Sequence, residues 1–161
     1  MNAGAWGHAF GNIIELVKVI EPDGKCITLN RKQLRFSYRL CAGLENMIMV
    51  EAIIKLRKGN TSAINRKMRR ILQKRKWLRG FRSAGSIFKN PAGKTAGRLI
   101  EDARLKGLTI GGASVSRQHA NVIVTKNGAK ASDVLSLLEI IRFLVRMKHG
   151  IDLESEVEYW E

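Results

Sequence analysis

An α+β fold is predicted by three features of this 161-residue chain. A hairpin pattern stands near the start, two long amphipathic stretches follow, and short strand-like runs punctuated by glycine lie between those stretches. The hairpin is NIIELVKVIEPDGKCITLN, where two runs rich in β-branched residues flank Asp23-Gly24, a strong turn signal. Asn30 then caps one helical turn, with Gln33 at the position that completes a capping box. MIMVEAIIKL, Met47 to Leu56, is a continuous apolar run and reads as a strand buried on both faces. Gly59-Asn60-Thr61-Ser62 breaks that pattern as a domain junction or a helix start.

From Ala63 the period becomes helical. Ile64, Met68, Ile71 and Leu72 make the apolar stripe, with Arg66, Lys67, Arg69, Arg70, Lys74 and Arg75 on the other sides. SAGSIFKNPAG, Ser83 to Gly93, is rich in turn residues. It is either a plain turn or a pocket loop whose serine offers a proton. TAGRLIEDARLKG predicts a short helix with Gly107 as its left-handed cap. LTIGGASVSRQHANVIVTKNG mixes short strands with glycine turns. ASDVLSLLEIIRFLVRMKHG is the clearest helix, with Leu135, Leu138, Ile141 and Val145 as its stripe and Gly150 as its stop. At the end, Glu154, Glu156, Glu158 and Trp160 alternate with Leu153, Ser155, Val157 and Tyr159, the pattern of a strand.

The composition is 45% hydrophobic, enough to bury a core. No apolar run reaches the roughly 18 residues of a membrane-spanning helix. MNAGAWGHAF lacks the basic-then-apolar pattern of a secretory signal. Cys26 and Cys41 fit no metal spacing and make a poor disulfide framework, so the reading is a soluble, metal-free protein of a reducing cytoplasm. Charge is uneven: 29 basic against 14 acidic residues give a net +15 and a pI of about 10.4. No acid interrupts Lys55 to Arg82, and the balance turns acidic after Arg117. Such a block points to a polyanion, either nucleic acid or a nucleotide's phosphates, although a solvated helix face is the plainer explanation of the run alone. P-loop, GxGxxG, HExxH and Cys/His zinc patterns are absent, as are signatures of RNA- or DNA-binding modules.

GSIFKNPAG, AGRLIEDARLKGLTIGGASVSRQHANVIV and KASDVLSLLEIIRFLVRMKHGIDLESEV together resemble the C-terminal half of the UDP-N-acetylenolpyruvoylglucosamine reductases, flavoenzymes also called UDP-N-acetylmuramate dehydrogenases. MNAGAWG and LRFSYR resemble two segments of the same family's second FAD-binding subdomain. The resemblance implies a cytoplasmic step of peptidoglycan synthesis. NADPH reduces FAD, and a hydride then passes to the enolpyruvyl double bond of UDP-N-acetylglucosamine enolpyruvate. It further implies Ser86 as proton donor, supported by Lys89 and backbone N–H groups around Gly85. Arg39 is implied as a clamp on the substrate carboxylate near the flavin, and Glu156 as a stabiliser of the enol. Asn90 and Lys76 are implied diphosphate contacts and His119 a UDP-side contact, with Gln118 and Asn121 beside it. Tyr38 lines the sugar site or is a core aromatic. Asn2, Ala3 and Gly4 correspond to the segment passing the isoalloxazine ring. His8 and His149 remain surface residues.

The implied organisation is the end of an FAD-binding subdomain over residues 1–58 and a UDP-sugar-binding domain over residues 59–161. The family's first subdomain and glycine-rich pyrophosphate loop, which precede MNAGA in the pattern, have no counterpart here. A separate N-terminal FAD-binding portion is therefore an implied partner. Two departures are local: Trp77-Leu78 stands where many relatives have Gln-Pro, and Cys41 where a serine is common. The rival readings are a basic nucleic-acid-binding protein and a non-catalytic UDP-sugar-binding protein.

Overall fold

A computed structural model describes residues 2–78 and 81–160, which divide into two compact units, Met1–Ile64 and Asn65–Glu161. In the first unit a ribbon of β1 (Gly4–Ala5) and β2 (His8–Ala9) turns through Trp6 and Gly7, both at positive φ. β3 (Ile14–Ile20) pairs antiparallel with β4 (Cys26–Asn30), Ile20 lying opposite Cys26. The Asp-Gly turn forms as predicted. Gly24 takes φ 88°, which a side chain resists, and Asp23 Oδ1 accepts the Lys25 N–H at 2.9 Å. Asn30 caps α1 (Arg31–Leu34) in a complete capping box: its Oδ1 accepts the Lys32 and Gln33 N–H groups, and Gln33 Oε1 accepts the Asn30 N–H. A second ribbon, β5 (Phe36–Ser37) with β6 (Leu40–Cys41), carries Tyr38 and Arg39 at its turn. β7 (Ile48–Ile54) pairs with the other edge of β3, giving the order β4-β3-β7.

This unit's core is Ile14, Val17, Val19, Leu29 and Leu34. β7 departs from the two-sided burial expected of it. Ala52 packs against the core, whereas Ile48 is 68% exposed, Val50 56% and Ile53 49%. As the edge strand of a three-stranded sheet, β7 has one strand neighbour, and a continuous apolar run reads the same whether or not its second face is covered. The following helix, α2 (Thr61–Lys74), starts where Asn60 Oδ1 accepts the Ala63 N–H. Its stripe of Ile64, Met68 and Leu72 is about half exposed, and α2 has no buried residue.

The second unit holds α3 (Ala96–Asp102), β8 (Thr109–Ile110), β9 (Ala113–Val115), β10 (Ile123–Thr125) and α4 (Ala131–His149). The strands form an antiparallel sheet in the order β10-β9-β8. α4 buries Leu137, Leu138, Ile141 and Val145 in a core shared with Ile87, Phe88, Leu99, Ile100 and Leu153. It ends at Gly150, whose φ of 65° and N–H bond to the Arg146 carbonyl close the last turn. Two expectations fail here. α3 stops at Asp102, so Gly107 does not cap it; the Gly107 N–H instead bonds the Val115 carbonyl at the approach to β8. Among the described residues the C-terminal segment joins no sheet: it makes one bridge, from Ser155 to Phe88 in the short segment 86–88, and then bends at Glu156 and Val157.

That short segment organises the unit. Ser86 bridges Val122 and Phe88 bridges Ser155. Asn121, 3% exposed, accepts the Phe88 N–H at its Oδ1 (3.0 Å) and donates from Nδ2 to the Phe88 carbonyl (2.8 Å). A side-chain amide thus replaces the donor and acceptor that a neighbouring strand would offer. Elsewhere, Asp133 Oδ2 accepts the N–H groups of Lys130 and Gly112, each at 3.0 Å, tying the β8–β9 turn to the start of α4. The Lys130 bond and then the Gly112 bond hold the Asp133 carboxyl below its ordinary range.

Asn121→Ala strands two buried backbone groups, so urea unfolding of the chain should register a loss of about 3 kcal/mol, at 1–3 kcal/mol for each buried group left unsatisfied. Asp133 carries a pH signature. Its folded pKa is depressed, so its contribution is present above the ordinary value of 3.8 and is lost as pH falls through the folded value. Thermal melts from pH 5 downward should therefore show wild type losing more stability than Asp133→Asn, whose amide keeps an acceptor but does not titrate.

Candidate functional site

Ser86 lies on an open, polar cleft of about 740 Å³ in the second unit. One wall is a face of α3: Arg98, Glu101 and Asp102, spaced so that all three share a side of the helix. The opposite wall is the loop before β10, with Gln118, His119 and Asn121. Ser86 and Asn90 come from the segment leading into α3. The lining is electrically balanced, since Lys106 pairs with Glu101, and Arg98 and Asp102 offset each other.

The local chain explains each placement. Gly85 at φ 85° lets the backbone reverse immediately before Ser86, a conformation other residues resist. The Asn90 Oδ1 accepts the Ala96 N–H at 3.0 Å and so anchors the start of α3 to the turn around Pro91. The loop from Ser116 to Val122 folds around the buried Ser116, whose hydroxyl accepts the Gln118 N–H (3.2 Å) and the His119 N–H (3.3 Å). The Asn121 N–H then donates to His119 Nδ1 at 3.3 Å, which fixes the ring and leaves Nε2 as its donor in the neutral form.

Of the residues singled out from sequence, Ser86, Asn90, His119 and Gln118 meet on this cleft. Glu156 comes alongside by backbone pairing: its N–H bonds the Ile87 carbonyl at 2.9 Å, one residue from Ser86. Asn121 also lines the cleft, but its amide is spent on Phe88, so it holds the site's frame. The supports expected for Ser86 are engaged elsewhere. The Lys89 ammonium pairs with Glu154, and the Gly85 N–H donates to Ser83 Oγ at 3.0 Å. Lys76 sits in a 3₁₀ turn after α2, exposed and outside the cleft's lining, as are the other cations of α2. His149, expected at the surface, is half-buried and lines a second cleft with Arg98 and Asp102. Sequence reasoning passed over Arg98, Glu101 and Lys106; the spacing of Arg98 and Glu101 on one face of α3 is the signal that would have found those two.

In the first unit, Arg39 stands at φ 56° with its guanidinium 5.2 Å from the Tyr38 ring centroid, and Tyr38 is exposed, not core. Asn2 donates to the Ser37 carbonyl (3.1 Å) and accepts the Gly11 N–H (2.9 Å). The Asn2–Ala3–Gly4 segment is thereby tied to the ribbon that carries Tyr38 and Arg39. A Cβ on Gly4 would meet the His8 carbonyl oxygen at 2.7 Å, so the first ribbon itself requires this glycine. Among the described residues no helix is long and apolar enough to cross a membrane, and no group of three or more His, Cys, Asp or Glu side chains could hold a metal ion.

Comparison with known proteins places these features in a family. The model of the UDP-N-acetylenolpyruvoylglucosamine reductase C-terminal domain matches residues 75–160. A UDP-N-acetylenolpyruvoylglucosamine reductase of Caldanaerobacter subterraneus is 40% identical over 161 residues, covering 98% of this chain and 53% of the relative. That of Fervidobacterium nodosum is 42% identical over 168 residues, covering 100% and 53%. The crystal structure of the reductase from Thermus caldophilus superposes with a TM-score of 0.86 at 35% identity, over 100% of this chain and 58% of that one. The chain spans about half the length of the curated relatives it matches. With a cleft serine, a paired glutamate and the α+β frame that holds them all falling within the matched region, the chain belongs to the UDP-N-acetylenolpyruvoylglucosamine reductase family.

Proposed function

We propose that this chain is the substrate-binding and proton-donating part of a UDP-N-acetylmuramate dehydrogenase acting in the cytoplasm. Residues 1–58 complete an FAD-binding subdomain and residues 59–161 bind the UDP-sugar. The observation that carries this reading is Ser86 on the wall of a polar cleft, on the same backbone ladder as Glu156. FAD, when bound, supplies a hydride drawn from NADPH. Hydride addition to one carbon of the enolpyruvyl C=C leaves an enolate conjugated with the carboxylate, and the other carbon must take a proton. Ser86 Oγ–H gives that proton, and the open cleft lets solvent restore it. Glu156 holds the enol by hydrogen bonding, and the planar fork of Arg39 binds the carboxylate.

Asn90, Lys76 and His119 serve the nucleotide, with Lys89 and Tyr38 at the sugar. Asn2, Ala3, Gly4 and Arg39 fit the flavin because the Asn2 bonds gather polar and planar groups into one neighbourhood of the first unit. The exposed apolar side chains of β7 support the further reading that a preceding FAD-binding portion, fused or separate, packs with this chain.

Binding separates this reading from the nucleic-acid one. UDP-N-acetylglucosamine should bind the chain more tightly than an oligonucleotide of equal charge. Oligonucleotide binding that weakens steeply with salt and ignores the sugar nucleotide would overturn it. The chemistry is tested with the preceding portion of the Caldanaerobacter relative fused ahead of the chain. There Ser86→Ala should leave flavin reduction by NADPH intact and slow reduction of the enolpyruvyl substrate by about two to four orders of magnitude, the usual worth of general acid catalysis. Ser86→Cys, which still carries a proton, should retain measurable turnover. Near wild-type turnover in Ser86→Ala would return the serine to the role of a turn residue.

A further inference from the structure

We propose that Trp77 and His119 form the surface on which the nucleobase of the bound nucleoside diphosphate stacks. This deepens, and rests on, the reading of the cleft as a UDP-sugar site. The cleft's own lining has abundant groups for phosphate and sugar hydroxyls and almost none for a flat heterocycle. Its residues are polar or charged apart from Gly97 and Ala120, and His119 is the one aromatic ring among them. That ring does not stand alone. The Trp77 indole lies parallel to it, with centroids 6.2 Å apart and planes within 5°.

The histidine of the pair is held before any ligand arrives. The Asn121 N–H donates to His119 Nδ1 at the ring edge, which leaves the ring's faces free of that bond, and Asn121 is itself locked onto Phe88. Trp77 is only partly buried, although indole is the largest flat apolar surface a side chain offers. A base stacked there continues the parallel array, because every base has a π-face and such stacking is tolerant of which base it is. The His119 Nε2 donor remains at the edge of the same array, suited to an oxygen of the attached ribose or phosphate.

The test uses the whole chain with UDP and inorganic pyrophosphate as probes. Trp6 and Trp160 are 58% and 86% exposed, so replacing both with Phe leaves Trp77 as the single indole reporter. UDP should quench its fluorescence and pyrophosphate should not. Trp77→Ala should weaken UDP about tenfold, within the range known for removing one stacking ring, and leave pyrophosphate binding unchanged. Trp77→Phe, which keeps a flat ring, should stay within about threefold of wild type. Equal affinity for UDP in Trp77→Ala, or equal losses for both probes, would overturn the inference while leaving the UDP-sugar reading standing. Failure of the unmodified chain to bind either probe would overturn both.

Discussion

The second unit depends on one buried amide. Asn121 presents a donor and an acceptor to Phe88 in a place where no neighbouring strand is available, and both bonds are made inside the core. Without them, the extended segment from Ser86 to Phe88 would leave polar backbone in an apolar surrounding, which costs far more than the net worth of the bonds. With them, the segment becomes a two-sided ladder. Val122 lies across from Ser86, and Ser155 across from Phe88. The same residue's backbone fixes the His119 ring, so one asparagine sets the serine, the histidine and the C-terminal segment at once.

The site that results combines a rigid frame with a balanced charge. The positive charge that dominates the sequence does not fill the cleft; the cations of α2 are exposed and lie outside its lining. Within the cleft, Lys106 is neutralised by Glu101, so the proposed nucleotide would be met there by Arg98 beside Asp102 and by neutral hydrogen-bond donors. Lys89 is paired with Glu154, which sets the backbone of the proposed proton donor's loop against the C-terminal segment and leaves Ser86 a neutral hydroxyl in polar surroundings.

The first unit has a different economy. Its core of five buried apolar residues lies on one side of a three-stranded sheet, and β7 leaves isoleucine, methionine and valine side chains exposed. An edge strand of seven residues with a single charge is a surface that proteins ordinarily cover. Relatives carry nearly twice the length of this chain, and the matched C-terminal domain model runs to residue 160.

Local signals in the sequence determined the elements whose causes are local. The β3–β4 turn, the Asn30 capping box, the start of α2 and the Gly150 stop of α4 were legible because each needs only a few neighbouring residues to satisfy backbone groups or a positive φ. The family pattern likewise pointed to Ser86, Asn90 and His119 before any geometry was known. Burial and pairing were decided by the tertiary structure. The apolar run of β7 carries no mark of whether a second layer covers it, and the C-terminal alternation carries none of whether a partner strand exists. The role of Asn121 was equally invisible: an asparagine two residues after a histidine reads as a ligand contact, and only the fold brings Phe88, 33 positions away, within reach of its amide. Long-range contacts are made by segments that share no local pattern, which is why the frame of the site could be seen only in three dimensions.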